Sequence, residues 1–163
     1  MKAPRVLTIG VYGWSRDGFF AALRRANVDV FCDLRARRGL RGPEYAFANA
    51  GALETRLGEL GIRYVHFKEL GAPDALRYKE LREDEKAGVK RRERDHLSPA
   101  FVAGYKKARL ENFDSEKFIE ALGPDARTIC LFCVETRPEA CHRSLVAERL
   151  ARDLGVKVTH LLP

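Results

Sequence analysis

Five short apolar runs punctuate this chain, and each but the last is followed by residues of helical period, an alternation that few architectures accommodate. The runs are Arg5–Gly10 (RVLTIG), Val28–Leu34 (VDVFCDL), Ile62–Phe67 (IRYVHF), Thr128–Val134 (TICLFCV) and Val156–Leu161. Their β-branched and aromatic content, with glycine or polar residues at the ends, marks them as strands. Between them, Phe19, Phe20, Leu23 and Ala26 recur at helical spacing within Arg16–Ala26. Asn49 is placed to cap a helix over Ala50–Leu60 that Gly61 ends, and Ser98 followed by Pro99 opens a helix to Leu110. A further short helix is expected with Ser115 as its cap.

Strands joined through helices pair in parallel by right-handed crossovers. The order β-α-β-α-β-helices-β-α-β therefore predicts an α/β fold of the three-layer, Rossmann-like sandwich type. Its sheet should be mainly parallel and five-stranded, in the order 3-2-1-4-5, with helices on both faces. A length of 163 residues suits one core, so residues 1–163 are expected to form a single domain.

The fourth run carries the densest chemistry. TICLFCV stops abruptly at Glu135, Arg137, Cys141, His142 and Arg143, and a helical pattern follows. Thr136 and Glu139 have capping-box spacing with Pro138 in the first turn, which predicts a helix beginning near Arg137 and reaching Leu154. Helical rotation from there puts Val146, Ala147, Leu150 and Leu154 on the buried stripe, with Arg143 near its centre and His142 at its edge. Cys141 points roughly the opposite way. A buried guanidinium requires a partner, since stranding one costs about 3–5 kcal/mol. Glu135 and Asp33 are the candidates. Arg143 is then either a structural tie between helix and sheet or an anion-binding group held by such a pair.

Asp33 ends the second strand and is followed by Arg35, Arg37, Arg38 and Arg41, four arginines in seven residues. The planar guanidinium fork suits phosphate or carboxylate, which makes this loop the preferred anion-facing surface, with a solvated loop as the alternative. After the first strand, VYGWS presents Tyr12 and Trp14, which can stack on a ring or simply cover the end of the sheet. In the predicted strand order, strands one and four are neighbours at the switch point, where such folds bind ligands. VYGWS, the Asp33–arginine segment and VETRPEACHR then converge on one cleft.

Residues 74–96 are densely charged, acids first and then Lys86, Lys90, Arg91, Arg92 and Arg94. Mixed signs at helical spacing with Gly88 as an interruption read as a charged, mobile or helical insertion outside the sheet. His66, on the third strand, reads as a satisfied core or edge histidine.

The four cysteines do not form a disulfide framework. Cys32 and Cys130 read as small core residues, and Cys130 and Cys133 lie in one strand at a separation that points them to opposite faces. Cys133, Cys141 and His142 match no standard zinc spacing, and the helix reading turns Cys141 away, so no metal is expected. The chain has no apolar stretch of about 18 residues and no signal-peptide pattern, which predicts a cytoplasmic protein without a membrane partner. A net charge of +7 favours anionic partners, nucleic acid or a phosphorylated small molecule among them.

The pieces TIG (Thr8–Gly10), CDLR (Cys32–Arg35), GIRY (Gly61–Tyr64), ELG (Glu69–Gly71), CVETRPEACHR (Cys133–Arg143) and VTH (Val158–His160) occur in the order seen in the DUF488 family, which the chain resembles over nearly its whole length. Cys-x-Glu followed by Pro-x-x-Cys-His-Arg is the specific part. The family is one of unknown function, so the resemblance implies a fold and a site but no reaction. Val11 and Tyr12 stand where the family commonly has a histidine or tyrosine and then a small polar residue, and RARRGLRGPEYAF replaces its usual serine–arginine pair.

Two functions from different classes follow. One is an enzyme acting on a nucleic acid, nucleotide or other anionic substrate, with Glu135, Cys133 and Asp33 as catalytic groups and Arg35, Arg38, Arg143, His142, Tyr12 and Trp14 as substrate-binding groups. In it, Cys133 would be the nucleophile and Glu135 the acid or base. Glu135→Gln would then abolish turnover with little change in thermal midpoint. The other is a non-catalytic nucleic-acid-binding module using the arginine loop and the Lys86–Arg94 run, with strongly salt-dependent affinity.

Overall fold

The computed structural model describes residues 2–163. Five strands, β1 (Arg5–Ile9), β2 (Val30–Asp33), β3 (Arg63–His66), β4 (Thr128–Phe132) and β5 (Val158–Leu161), form one all-parallel sheet. Among the described residues six α-helices accompany them: α1 (Arg16–Arg25), α2 (Ala50–Glu59), α3 (Asp74–Lys86), α4 (Pro99–Tyr105), α5 (Ser115–Leu122) and α6 (Arg143–Leu154).

Two apolar cores, one on each face of the sheet, make the three layers. On one face, Phe19, Phe20 and Leu23 of α1 and Leu53 and Leu57 of α2 meet Leu7, Ile9, Phe31, Cys130 and Phe132. On the other, residues of α4, α5 and α6 meet Val6, Val30, Cys32, Ile129 and Leu131. The alternation of neighbouring strand residues between the two lists is the two-residue period of a strand buried on both sides. Cys32 and Cys130 are fully buried, one in each core.

The strand order is 3-2-4-1-5, which corrects the expected 3-2-1-4-5. β1 and β4 are neighbours as expected, but β4 sits between β1 and β2 instead of outside β1. Asp29, just before β2, helps set this arrangement. Its carboxylate accepts from the backbone N–H groups of Arg127 and Thr128 at 3.1 and 2.8 Å, pinning the start of β4 against β2. Every residue of β4 is buried, as befits the middle strand. Its carboxyl end consequently touches the loops after both β1 and β2.

Several local expectations also shift. Asn49 precedes α2, but its side chain accepts from Leu40 N–H at 2.6 Å and makes no cap. Asp114, not Ser115, caps α5, while the Ser115 hydroxyl donates to Asp153. Ser98 does cap α4, accepting from Phe101 N–H, and α4 continues as a π-turn through Lys106–Leu110. Gly155 ends α6 at φ +66°, the left-handed conformation glycine adopts without penalty.

The charged segment adds no strand to the sheet, as expected, but packs against its carboxyl end. α3 is helical as anticipated, but the chain then folds back, and Arg91 and Arg94 reach Glu135 beyond the end of β4.

Candidate functional site

The loop after β4 does not become helix at Arg137. Pro138–Ala140 form a single 3₁₀ turn, Cys141 is extended at φ −137° and ψ 141°, and α6 starts only at Arg143. Thr136 makes no capping box: its hydroxyl donates to the Tyr12 carbonyl at 3.0 Å and ties this loop to the one after β1. The later start of α6 reverses the expected direction of Cys141. Cys133, Cys141 and His142 are all buried, with their sulfur and imidazole ligand atoms within 4.8 Å of one another.

Arg143 is fully buried, as its position on the helical stripe predicts, but it pairs with no carboxylate. Its guanidinium donates to the carbonyls of Glu135 (2.6 Å) and Thr136 (3.2 Å) and, at 3.4 Å, to the Thr8 hydroxyl. Carbonyl dipoles at the end of β4 thus solvate the charge. The side chain holds the β4–α6 loop in shape and does not line the cavity described below, so neither the expected acid pair nor direct anion contact is present. Gly10 permits this packing, because a Cβ there would strike the Glu135 carbonyl and lie 3.1 Å from Arg143 Nη1.

Asp33 and Arg35 form a separate buried pair. The Arg35 Nε and Nη2 groups donate to the two carboxylate oxygens at 2.9 and 2.8 Å, and Tyr64 Oη adds a third side-chain donor at 2.6 Å. With both oxygens engaged and no exposure, Asp33 orients Arg35 and does not face the cavity, contrary to the catalytic role expected of it. The pair leaves Arg35 Nη1 buried without a partner. The guanidinium also stacks 4.8 Å from the Phe132 ring centroid. Arg38 points elsewhere, to Glu54 and Tyr64.

Above these groups, at the carboxyl end of the sheet, lies a cavity of about 450 Å³. Its walls carry Arg35, Arg37, Arg41, Arg77, Arg91, Arg92 and Arg94 against only two acids, Glu80 and Glu135, while Cys133, Cys141 and His142 also line it. Tyr12 and Tyr45 contribute aromatic wall, and the Arg92 guanidinium lies 5.3 and 5.0 Å from their ring centroids. Burial raises the Tyr12 phenol pKa. Trp14 instead packs edge-on against Phe19 and covers the end of the sheet.

Glu135 is 5% exposed and bonds Arg91 at 3.0 Å and Arg94 at 3.4 Å. Burial by itself would raise its pKa, but Arg91, the neighbouring Cys141 thiol and Arg94 more than offset this and hold it at about 2. Its Oε2 has no partner. The Cys141 thiol is pushed well above its ordinary pKa, by burial first and then by Cys133 and Glu135. The His142 ring is fixed from behind. Its Nε2 lies 3.1 Å from the Leu34 carbonyl, which can only accept, so Nε2 donates there and Nδ1 faces Cys133 Sγ at 3.8 Å. His66 is likewise satisfied, by the Arg35 carbonyl.

Of the residues singled out from sequence, Cys133, Glu135, His142, Arg35 and Tyr12 meet at the cavity; Asp33, Arg38, Arg143 and Trp14 do not line it. Tyr45 was missed, Cys141 was expected to point away, and the three arginines of the RRER run were expected only as part of a nucleic-acid-binding surface. The run resembles any solvated charge cluster, and its only distinguishing signal is that the buried acid it neutralises is 41 or more residues away.

Fold and site together define a parallel α/β sandwich with a basic, thiol-floored cavity at the carboxyl end of its central strand. The chain belongs to the DUF488 family, described as a domain of unknown function, whose family model matches residues 15–150. No curated protein and no solved structure matches it. Among the described residues no helix is long and apolar enough to cross a membrane.

Proposed function

We propose that this protein is an enzyme that takes a phosphorylated or otherwise anionic small molecule into the arginine-walled cavity and acts on it at the floor, where Cys133, Glu135 and His142 meet. The observation that carries this reading is that Arg35, which lines the cavity, has a buried guanidinium nitrogen, Nη1, with no acceptor among the described residues. Leaving a buried donor unsatisfied costs about 1–3 kcal/mol, and more for a charged group, which an anionic oxygen would relieve. Asp33 holds the other two guanidinium nitrogens and so directs the free one. A volume of about 450 Å³ fits a small molecule, for which pockets run from about 300 to 1,000 Å³.

The Lys86–Arg94 run favours the small ligand over nucleic acid. Arg91 and Arg94 are held by Glu135 and Asp84, and the exposed Arg92 is paired with Glu44, so the three do not form a continuous unpaired stripe for a phosphate backbone. In this reading Glu135, whose Oε2 has no partner among the described residues and which neighbours the Cys141 thiol, moves the proton.

Calorimetric titration with inorganic phosphate, mononucleotides and a single-stranded oligonucleotide, at two salt concentrations, tests the reading. A mononucleotide or simple phosphate ester should bind saturably, and Arg41→Ser and Arg92→Ser should each weaken it by about tenfold, the equivalent of about 1.4 kcal/mol. Absence of binding by any anion at low salt would overturn it. Binding of the oligonucleotide alone, with steep salt dependence, would move the protein to the class of nucleic-acid-binding modules.

A further inference from the structure

We propose that Cys133, Cys141 and His142 form a metal site, taking Zn²⁺ or a similar divalent transition ion, with its open coordination position facing the cavity. Three features support it. The first is spacing. A tetrahedral ion with metal–sulfur bonds of about 2.3 Å and metal–nitrogen bonds of about 2.0–2.1 Å holds its ligand atoms roughly 3.5–3.8 Å apart. Cys133 Sγ and His142 Nδ1 are 3.8 Å apart, and all three ligand atoms fall within 4.8 Å of one another, so closure needs only side-chain adjustment.

The second is the orientation of the imidazole. Protein-bound metals typically take a histidine whose other ring N–H is held by a carbonyl or carboxylate. Here the Leu34 carbonyl holds Nε2, leaving Nδ1 as the ring nitrogen turned toward Cys133 Sγ. The third is access. All three residues are buried yet line the cavity, giving a three-ligand set with one side open, the arrangement of catalytic rather than structural zinc.

The charges also balance. Binding releases a proton from each thiol, two thiolates neutralise the divalent ion, and no oxidant or reductant is consumed. The surrounding arginines therefore face a neutral centre, and Glu135 keeps its own partners Arg91 and Arg94. A water or an anionic oxygen would complete the coordination.

Purified protein, reduced and stripped with chelator, should take up one equivalent of Co²⁺. The uptake should bring the near-ultraviolet sulfur-to-cobalt charge-transfer band and the visible bands of tetrahedral cobalt, and Zn²⁺ should displace them. Cys133→Ser, Cys141→Ser and His142→Ala should each lose stoichiometric binding. If any of these variants fails to fold, alkylation of the wild-type protein decides instead: Zn²⁺ should protect Cys133 and Cys141 from iodoacetamide, as mapped by mass spectrometry. No stoichiometric Co²⁺ uptake, thiolate bands that persist in Cys133→Ser, or alkylation indifferent to Zn²⁺ would overturn the site. Arg92→Ser should keep full metal binding while weakening anion binding, so failure of the anion reading and failure of the metal site are separable.

Discussion

Replacing Glu135 by glutamine should destabilise the protein substantially, contrary to the small effect expected when the residue is regarded only as a catalytic group. The carboxylate is buried, with its pKa held at about 2, and it neutralises two arginines from the segment after α3. Breaking a buried pair by neutralising one partner costs about 3–5 kcal/mol. The low end applies here. Arg94 retains Asp84 at 2.6 Å, and the Arg91 side chain is 37% exposed and can turn toward water. At an unfolding entropy of about 2.1 cal/mol/K per residue, a loss of about 3 kcal/mol lowers the midpoint of a chain this size by roughly 9 °C. Thermal unfolding followed by circular dichroism measures the shift, and limited proteolysis should show earlier cleavage between residues 86 and 96, because Glu135 ties that stretch to the sheet. A midpoint within about 2 °C of wild type would refute the view that this ion pair anchors the segment, and would return Glu135 to a purely chemical role.

Three other perturbations probe the framework. Asp33→Asn leaves the Arg35 charge unpaired at 3% exposure and should cost about 3–5 kcal/mol in denaturant unfolding, whereas an effect under about 1 kcal/mol would contradict the pairing. Gly10→Ala places a methyl against the Glu135 carbonyl and should cost about 1–3 kcal/mol by overpacking, measured the same way; a neutral result would mean that Arg143 does not fix this loop. His160, bonded to Thr8, has its pKa lowered from the ordinary 6.5 by burial and by Arg143, against weaker opposition from Glu139 and Glu148. The unfolded chain then binds the proton more readily, so stability should fall as pH drops through 6.5, and His160→Asn should flatten that slope. An unchanged slope in the variant would assign the dependence to other groups.

Local pattern carried much of this protein. The two-residue period of the strands, the Ser98–Pro99 helix start and the Gly155 stop follow from short-range sterics and hydrogen bonding, which act within a few residues of sequence. Burial of Arg143 was legible for the same reason, since helical rotation tells which side faces inward. What that side meets is another matter. Arg143 finds carbonyls and not an acid because Gly10 lets β1 approach the end of β4 closely, a relation between residues more than a hundred positions apart. The misjudged start of α6 had the largest consequence. A capping-box spacing around Thr136 is genuine as a pattern, but the threonine hydroxyl is drawn to the Tyr12 carbonyl, and the helix yields. With it went the direction of Cys141, and so the recognition of the thiol–imidazole cluster.

The amino-acid sequence on its own established the elements, the parallel α/β class and the meeting of the loops after β1, β2 and β4 at one end of the sheet. Those properties need only which residues are apolar, where glycine and proline interrupt, and how crossovers must turn. Tertiary structure alone decided that β4 lies between β1 and β2, that Asp33 serves Arg35, that Arg91 and Arg94 fold onto Glu135, and that two cysteines and a histidine come together. The physical reason is that a buried charge or thiol takes its partner from whatever packing brings within a few ångströms, and sequence periodicity records the burial of a group without recording its neighbours.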